Sequence, residues 1–199
     1  MSAMTDEHPS AQLPLDLARG PGMSRDELVV TGANAAAIAL IDRWPDWQTP
    51  VVVLAGPAGS GKSHLAAIWT EAAHASAADP RRIGSDAIAV AASGGAVLVD
   101  GVEGLIDETG LFHLINAARE GGGHVLLTSR RFPAAWGVSL PDLASRLKAA
   151  TIVEIAEPDD LLLTAVVTKL FADRQVQVEP HVVSYIVNRI ERSLSTAMN

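Results

Sequence analysis

Eight consecutive residues in the first third of the chain have the types and spacing of a phosphate-binding loop, Gly-x-x-x-x-Gly-Lys-Ser. They are Gly56, Pro57, Ala58, Gly59, Ser60, Gly61, Lys62 and Ser63. Glycines let the backbone curl so that successive N–H groups point at phosphate oxygens. Lys62 would neutralise the β- and γ-phosphates, and the Ser63 hydroxyl would hold Mg²⁺. A chance glycine-rich turn is disfavoured, because an apolar run precedes the loop and a helix-like segment follows it.

A magnesium ion at this loop needs a carboxylate on a neighbouring strand, and Asp100 meets that requirement. It follows an apolar run at 96–99, so we expect it at the carboxyl end of a buried strand, within reach of Mg²⁺ through water. The alternative is a solvated acid at a strand end. The next position, where a second acid often activates water, holds Gly101, and Glu103 comes two residues later. Gly101 therefore weakens the case for efficient hydrolysis by this chain alone.

Other polar side chains could also reach a bound nucleotide. Thr128 or Ser129, at the end of another apolar run, could donate a hydrogen bond to the γ-phosphate. Arg146 lies on a short element before the fifth predicted strand, where stacked nucleotide-binding proteins project an arginine toward a neighbour's γ-phosphate. On spacing alone, an ordinary surface ion pair is the favoured interpretation of Arg146. Arg189 and Arg192, near the C-terminus, could reach back to the nucleotide or could be ordinary helix-surface residues.

The composition indicates a globular protein with a substantial core. The chain has 199 residues, of which 48% are apolar and 19% charged, and it contains no cysteine. These values exclude a disulfide framework and a thiolate metal site. No apolar run approaches the roughly 20 residues that span a bilayer, and the N-terminus lacks a secretory signal pattern, so we expect a cytoplasmic protein. The net charge of −8 argues against broad, sequence-independent binding to nucleic acid.

The order of the elements predicts the fold class. Apolar strands alternate with helices to about residue 155, and helices alone follow. This pattern predicts an α/β fold, a five-stranded parallel sheet flanked by helices, with a small all-helical lid. We divide the chain into a flexible segment at 1–24, a nucleotide-binding domain at 25–156 and a lid at 157–199. A helix is predicted at 64–78, whereas 83–92 fits either a short strand or a helix.

A short peptide near the N-terminus has the pattern of a recognition segment. It runs from Gln12 to Leu17, with leucines at 13, 15 and 17. Pro14 disfavours a helix. Extended, the peptide could insert alternate leucines into the pockets of a partner while Gln12 provides a polar anchor. A short edge strand that packs its leucines on the parent domain is an equally good interpretation.

Taken together, these features resemble the DnaA branch of the AAA+ ATPases and, more closely, the Hda (HdaA) family of DnaA-related regulators in its alphaproteobacterial form. The resemblance is collinear over nearly the whole chain. The matching segments are 12–17, 56–65, 97–103, 111–120, 126–136, 140–147, 169–174 and 189–193. The phosphate loop alone indicates only a superfamily, and the segments 12–17 and 140–147 narrow the resemblance to this family.

The resemblance implies a negative regulator of DNA replication initiation. In that family the N-terminal peptide binds the DNA polymerase III β sliding clamp, and the clamp-bound regulator promotes hydrolysis of the ATP on DnaA. Carried over to this chain, the clamp contacts become Gln12, Leu13, Leu15 and Leu17. The loop 56–63, His64 and, as lid sensor, Arg192 become the contacts to ADP or ATP, and Arg146 becomes an arginine finger offered to DnaA. The resemblance implies that the protein contacts DNA only indirectly, through the clamp, and works in the cytoplasm near the nucleoid. It implies no membrane partner, and it leaves open whether the protein forms a homodimer.

Some positions depart from the family pattern and leave rival functions open. Gly101 replaces the second acid, and Arg130 stands where related initiators often have a small polar or acidic residue. The lid is expected to be truncated at Asn199, and no helix-turn-helix domain follows, so an initiator proper is not expected. One rival is a self-hydrolysing ATPase of the helicase-loader kind. Another is a pure adaptor whose nucleotide only stabilises the fold. We expect intrinsic hydrolysis to be weak at most.

Overall fold

The computed structural model describes residues 25, 28–190, 192–194 and 197. The segment assigned to clamp binding, 12–17, lies outside these residues, as does the end of the lid at Asn199. No helix within the described ranges is both long and apolar enough to cross a membrane.

The described residues form five strands and seven α-helices. The strands are β1 (Val51–Ala55), β2 (Ser76–Ala77), β3 (Ala96–Val99), β4 (His124–Ser129) and β5 (Thr151–Glu154). The helices are α1 (Ala35–Asp42), α2 (Lys62–Ala73), α3 (Ser85–Ala92), α4 (Glu108–Gly121), α5 (Pro141–Lys148), α6 (Asp160–Asp173) and α7 (Pro180–Val187). A short 3₁₀ turn, Pro133–Ala135, lies between β4 and α5.

All five strands are parallel and lie in the order β2-β3-β4-β1-β5. Strand β1 therefore has a partner on each side, and Val53 lies opposite Leu127 of β4 and Ile152 of β5. Since the carboxyl ends of parallel strands meet at one edge of the sheet, the loop after β1 emerges between the ends of β4 and β5. The predicted five-stranded parallel α/β fold with flanking helices is confirmed.

Helices cover both faces of the sheet, and each face has its own core. Side chains alternate along β1, so that Val51 and Val53 pack toward α3, α4 and α5, while Val52 and Leu54 pack toward α1 and α2. Trp69 of α2 is fully buried, and its ring stacks on that of Trp47 with 5.4 Å between centroids. A third, smaller cluster joins α6 and α7.

Two elements differ from the sequence expectation. The helix predicted at 64–78 ends at Ala73, because His74 adopts a left-handed conformation with φ of 48°. Ser76–Ala77 then forms β2 at the edge of the sheet, opposite Val97 and Leu98. Pairing with β3 thus overrides the helix propensity of this alanine-rich segment. The ambiguous segment 83–92 contains the helix α3.

Glycines at the end of α4 allow this helix to pack closely on α3. A Cβ atom at Gly121 would lie 2.1 Å from the carbonyl oxygen of Ala92, whereas a Cβ at Gly122 would meet nothing within 4 Å. Gly121→Ala is therefore expected to lower the free energy of unfolding by about 3 kcal/mol, since backbone must move. Gly122→Ala is expected to cost about 1 kcal/mol, from its φ of 72° alone. Urea denaturation measures both, and an equal loss for the two variants would contradict the packing argument.

Candidate nucleotide-binding site

The phosphate loop has the backbone geometry of an anion cradle. Gly56 is buried, and a Cβ there would lie 2.2 Å from the carbonyl oxygen of Ile155, so only glycine fits. Gly59 and Gly61 adopt positive φ values of 70° and 99°. Within the described part of the chain, the N–H groups of these two glycines donate to no protein acceptor. With the N-terminus of α2 behind them, they form a site suited to phosphate oxygens.

Lys62 lies inside this loop. Its Nζ donates hydrogen bonds to the carbonyl oxygens of Gly56 and Pro57, at 2.7 and 2.6 Å. Burial lowers the pKa of Lys62; the carboxylate of Glu103 opposes this, Arg130 adds to it, and Asp100 opposes it. The ammonium group is thus half-buried, close to two acids and one further cation, and can exchange loop carbonyls for phosphate oxygens.

Asp100 lies at the carboxyl end of β3, as the sequence predicted for a magnesium ligand. Its Oδ1 accepts a hydrogen bond of 2.5 Å from the Thr128 hydroxyl, which itself accepts one of 2.8 Å from the Gly101 N–H. The Ser129 hydroxyl donates to the Val102 carbonyl oxygen at 3.0 Å. Both hydroxyls that the sequence offered to the γ-phosphate are here used to hold the segment after β3 against β4.

Gly101 adopts a backbone conformation that is unfavourable for residues with a Cβ atom. Its φ is 72°, in the left-handed region. A glutamate at this position would cost about 1 kcal/mol in backbone energy. The segment beyond it stays attached to β4, since the Val102 N–H donates to the Thr128 carbonyl oxygen at 2.8 Å.

The turn at Gly101 also brings Glu103 close to Lys62 and Arg130. The sequence alone left open whether Glu103 reaches the phosphate loop. The Oε1 atom of Glu103 accepts a hydrogen bond of 2.8 Å from the Arg130 N–H, and its Oε2 lies 3.5 Å from Arg130 Nε. No sequence signal assigned this ion pair. The only hint in the sequence was that Glu103 lies three residues after Asp100. The left-handed conformation of Gly101 determines that Glu103 reaches Arg130.

The lid contacts the phosphate loop at Leu194. Its N–H donates to the Gly59 carbonyl oxygen at 2.8 Å, and its Cδ1 lies 3.3 Å from where a Cβ of Gly61 would be. Arg192, two residues earlier, forms an ion pair of 3.0 Å with Asp160, at the start of α6. The segment that carries Arg192 is thus adjacent to the loop, and its role as a lid sensor stays a prediction.

Three further candidates have clear positions. His64 is half-buried in the first turn of α2, and Ser63, beside it, is exposed. Arg146 lies in the last turn of α5, which Leu143 and Leu147 anchor in the core. Arg146 is half-buried, and among the described residues its side chain has no hydrogen-bond or ion-pair partner. The helix therefore holds an arginine that no described side chain neutralises.

Comparisons with known proteins agree on the fold. No protein-family model and no curated protein sequence matches the chain. The replication initiator DnaA bound to AMPPCP and single-stranded DNA matches with a TM-score of 0.75 and 16% identity, over 89% of this chain and 63% of that one. Domain III of DnaA from Thermotoga maritima matches with a TM-score of 0.71 and 17% identity, over 90% of this chain and 85% of that one.

RuvB, the Holliday junction branch migration motor of Thermotoga maritima, gives a TM-score of 0.65 at 18% identity, over 89% of this chain and 62% of that one. The chain spans about three-fifths of the length of the DnaA structure solved with AMPPCP and single-stranded DNA. At these identities the likeness concerns the fold alone, and the chain has an α/β fold like that of DnaA and RuvB.

Proposed function

We propose that this chain is a nucleotide-binding regulator of replication initiation of the Hda kind. It binds ADP or ATP with Mg²⁺ at the loop 56–63 and attaches to the β sliding clamp through 12–17. It then promotes hydrolysis of the ATP held by DnaA. The observation that carries the proposal is a complete phosphate cradle beside a left-handed glycine at position 101. This combination favours nucleotide binding over efficient turnover, as a regulator requires.

The proteins of similar fold support replication initiation as the process and a nucleotide as the ligand. One of them is described as a DNA replication initiation factor, and another is DnaA with AMPPCP bound. A fold like that of DnaA is compatible with a regulator that docks beside the nucleotide of DnaA. By this proposal the protein works in the cytoplasm, at the nucleoid, through the replisome.

The described residues fit a nucleotide and its metal ion. The cradle of Gly59 and Gly61 would receive phosphate oxygens, and Lys62 would turn to them from the carbonyls of Gly56 and Pro57. Ser63 and Asp100 supply the oxygen ligands that Mg²⁺ prefers. Mg²⁺, when bound, would neutralise charge on the phosphates. The fixed position of Asp100, held by Thr128, supports this role.

The decisive experiment follows ATP hydrolysis by DnaA with the clamp loaded on DNA. Adding this chain is expected to stimulate hydrolysis only when the clamp is present. If hydrolysis stays at the level of DnaA alone while this chain is shown to occupy the clamp, the proposed function is wrong.

Clamp binding gives a separate prediction. Changing Gln12 and Leu13 together to alanine is expected to weaken binding to the clamp by about 30-fold or more, because anchor residues dominate such interfaces. Surface plasmon resonance with immobilised clamp measures the effect. Arg19→Ala, outside the segment, is the control and should bind like the wild type. Unchanged affinity of the double variant would refute clamp recognition by this peptide.

One observation favours the helicase-loader alternative. The Glu103 carboxylate acts on Lys62, so the site does contain a second acid. A self-hydrolysing ATPase would show steady turnover without DnaA, and Lys62→Met would abolish it. A pure adaptor would gain thermal stability from ADP, while changes at Arg146 would have no effect on DnaA.

A further inference from the structure

We propose that the open edge of β5 is a docking site for the chain's own segment 12–17, which pairs there as an antiparallel strand when it is not bound to another protein. This pairing competes with binding of the same segment to the sliding clamp, because both use the same leucines. The pairing itself does not depend on the proposed function, whereas its regulatory effect rests on it.

Strand β5 has one side without a partner among the described strands. It lies at the end of the sheet and pairs with β1. The N–H groups of Thr151 and Ile155 point toward β1, since both donate to acceptors in the segment 49–55. Because N–H groups alternate in direction along a strand, those of Ile152 and Glu154 point outward. Such a row of outward backbone groups can pair with a further extended peptide.

An apolar side chain lies uncovered beside this open edge. Ile152 is opposite Val53 in the sheet, and Val53 packs in the core on the side of α4 and α5. Ile152 therefore faces the same side of the sheet, yet 40% of it is exposed. An exposed apolar residue on an edge strand favours association with another strand. The edge thus offers both backbone groups to pair and an apolar side chain to bury.

The segment 12–17 matches this edge in its side-chain pattern. Its three leucines occupy alternate positions, so in an extended strand their side chains share one face and their N–H groups share one edge. When that edge pairs with β5 in antiparallel fashion, the leucines lie on the same side of the sheet as Ile152. The nitrogen of Pro14, which lacks a hydrogen, then faces outward, where proline is tolerated. A shift by one residue would lose both features.

The path of the chain allows this direction of pairing. Arg25 forms an ion pair with Asp42, the last residue of α1. Trp44, just beyond α1, packs on His124, the first residue of β4, so α1 ends near the amino edge of the parallel sheet. An antiparallel strand on β5 would leave Leu17 at that same edge. The connection from Leu17 to Arg25 can span about 26 Å, which is ample for this short path.

Pairing with β5 would make clamp binding conditional. Leucines that cover Ile152 cannot at the same time fill pockets on the clamp. The apparent affinity for the clamp therefore falls by the fraction of molecules whose segment is free. A segment that is paired in roughly four molecules of five would lower the apparent affinity about 5-fold.

The first test measures amide hydrogen exchange of the full chain by NMR, without clamp or nucleotide. The leucine amides of the segment 12–17 are expected to exchange about 5-fold more slowly than in a synthetic peptide of the same sequence. The Asp16 amide, which would point outward, should exchange as it does in the peptide. Ile152→Lys places a charge on the open edge and should abolish the slowing. Val182→Lys, at an apolar residue of α7 with a similar exposure of 38%, is the matched control and should leave it unchanged.

A change in the segment tests the same contact without altering the sheet. Leu15→Lys should remove the slowing at the other two leucines. It should also speed exchange at Ile152 and Glu154, because their outward N–H groups would lose their acceptors. Unchanged exchange at these two residues would show that β5 is not the docking site. Thermal unfolding confirms that each variant is folded.

The second test measures affinity for immobilised clamp by surface plasmon resonance. Ile152→Lys is expected to bind the clamp about 5-fold more tightly than the wild type, because its segment is always free. Val182→Lys should bind like the wild type. If Ile152→Lys loses the slow exchange but binds the clamp with wild-type affinity, the pairing does not compete with the clamp and the regulatory effect is refuted.

The exchange experiment separates this inference from the proposed function. Leucine amides that exchange in the wild type as fast as in the peptide overturn the pairing, whether or not the protein binds the clamp. Slow exchange that persists in Ile152→Lys, or that depends on protein concentration, assigns the segment to another site or to a second copy and also overturns it. Slow exchange of the expected kind in a protein that does not bind the clamp overturns the proposed function and leaves the docking site on β5 in place.

Discussion

Replacing Arg146 with alanine is expected to reduce the stimulation of DnaA's ATPase by about 10³-fold or more while clamp and nucleotide binding stay intact. An arginine supplied in trans stabilises charge that spreads over the transferring phosphoryl group, and its removal has effects of this size. Helix α5 is anchored by Leu143 and Leu147, not by Arg146, whose side chain has no partner among the described residues. The free energy of unfolding should therefore change by less than about 0.5 kcal/mol.

Two companion variants make the Arg146 experiment specific. Arg146→Lys keeps the positive charge but loses the planar fork, so most of the stimulation should still be lost. Lys148→Ala removes an exposed cation from the same last turn of α5 and should stimulate like the wild type. The measurement is the rate of phosphate release from DnaA with DNA-loaded clamp. Full stimulation by Arg146→Ala would mean that no such finger is offered.

The central part of the fold could be predicted from the sequence because its signals are local. Strand β1 consists of five apolar residues, all buried, as expected for a strand covered by helices on both faces. The glycine loop follows it directly, and Asp100 ends a similar apolar strand. The position of each residue along its own strand was enough to place Asp100 and the loop on the same edge of the sheet.

The edge of the sheet could not be predicted in the same way. Strand β2 has two small, exposed residues, Ser76 and Ala77, and no apolar pattern. Its existence depends on hydrogen bonds offered by β3 and on the left-handed conformation of His74, which stops α2. Neither feature is encoded in the residues that form the strand, and an alanine-rich run predicts a longer helix.

The candidate site shows the same division between local and tertiary information. The spacing of the loop predicts Lys62 and Ser63 as phosphate and metal contacts. It does not predict that Leu194 of the lid packs over Gly61, nor that Arg192 pairs with Asp160. These contacts join parts of the chain more than 30 residues apart, and single-sequence patterns carry no information about which exposed arginine pairs with which acid.

The conformation of Gly101 bears on the proposed function. In a self-hydrolysing enzyme, an acid next to Asp100 would activate water, and a left-handed backbone there would strain it. In this chain the same backbone carries Glu103 to Arg130 instead. The acid near Lys62 is thereby engaged with a cation, which suits a site that binds a nucleotide more than it hydrolyses it.

Lys62→Met is expected to weaken binding of ADP and AMPPCP on the order of 100-fold, because charged hydrogen bonds to two phosphates are lost. The protein without nucleotide should remain as stable as the wild type or become slightly more so. Burial lowers the pKa of Lys62, so the folded state disfavours the charge that methionine removes. As the pH rises through the lowered pKa toward the ordinary value, the wild type loses this penalty, and any stability advantage of the variant should shrink.

Thermal unfolding with and without ADP measures both effects in one experiment. The wild type should gain stability with increasing ADP, and Lys62→Met should not. Lys148→Met makes the same chemical change at an exposed position and should retain the full ADP effect. If Lys62→Met binds ADP normally, the loop does not hold phosphate through its lysine. If the variant instead unfolds, the hydrogen bonds from Lys62 to the loop carbonyls stabilise the fold by more than the burial of its charge destabilises it. In that case Lys62→Arg is expected to restore folding.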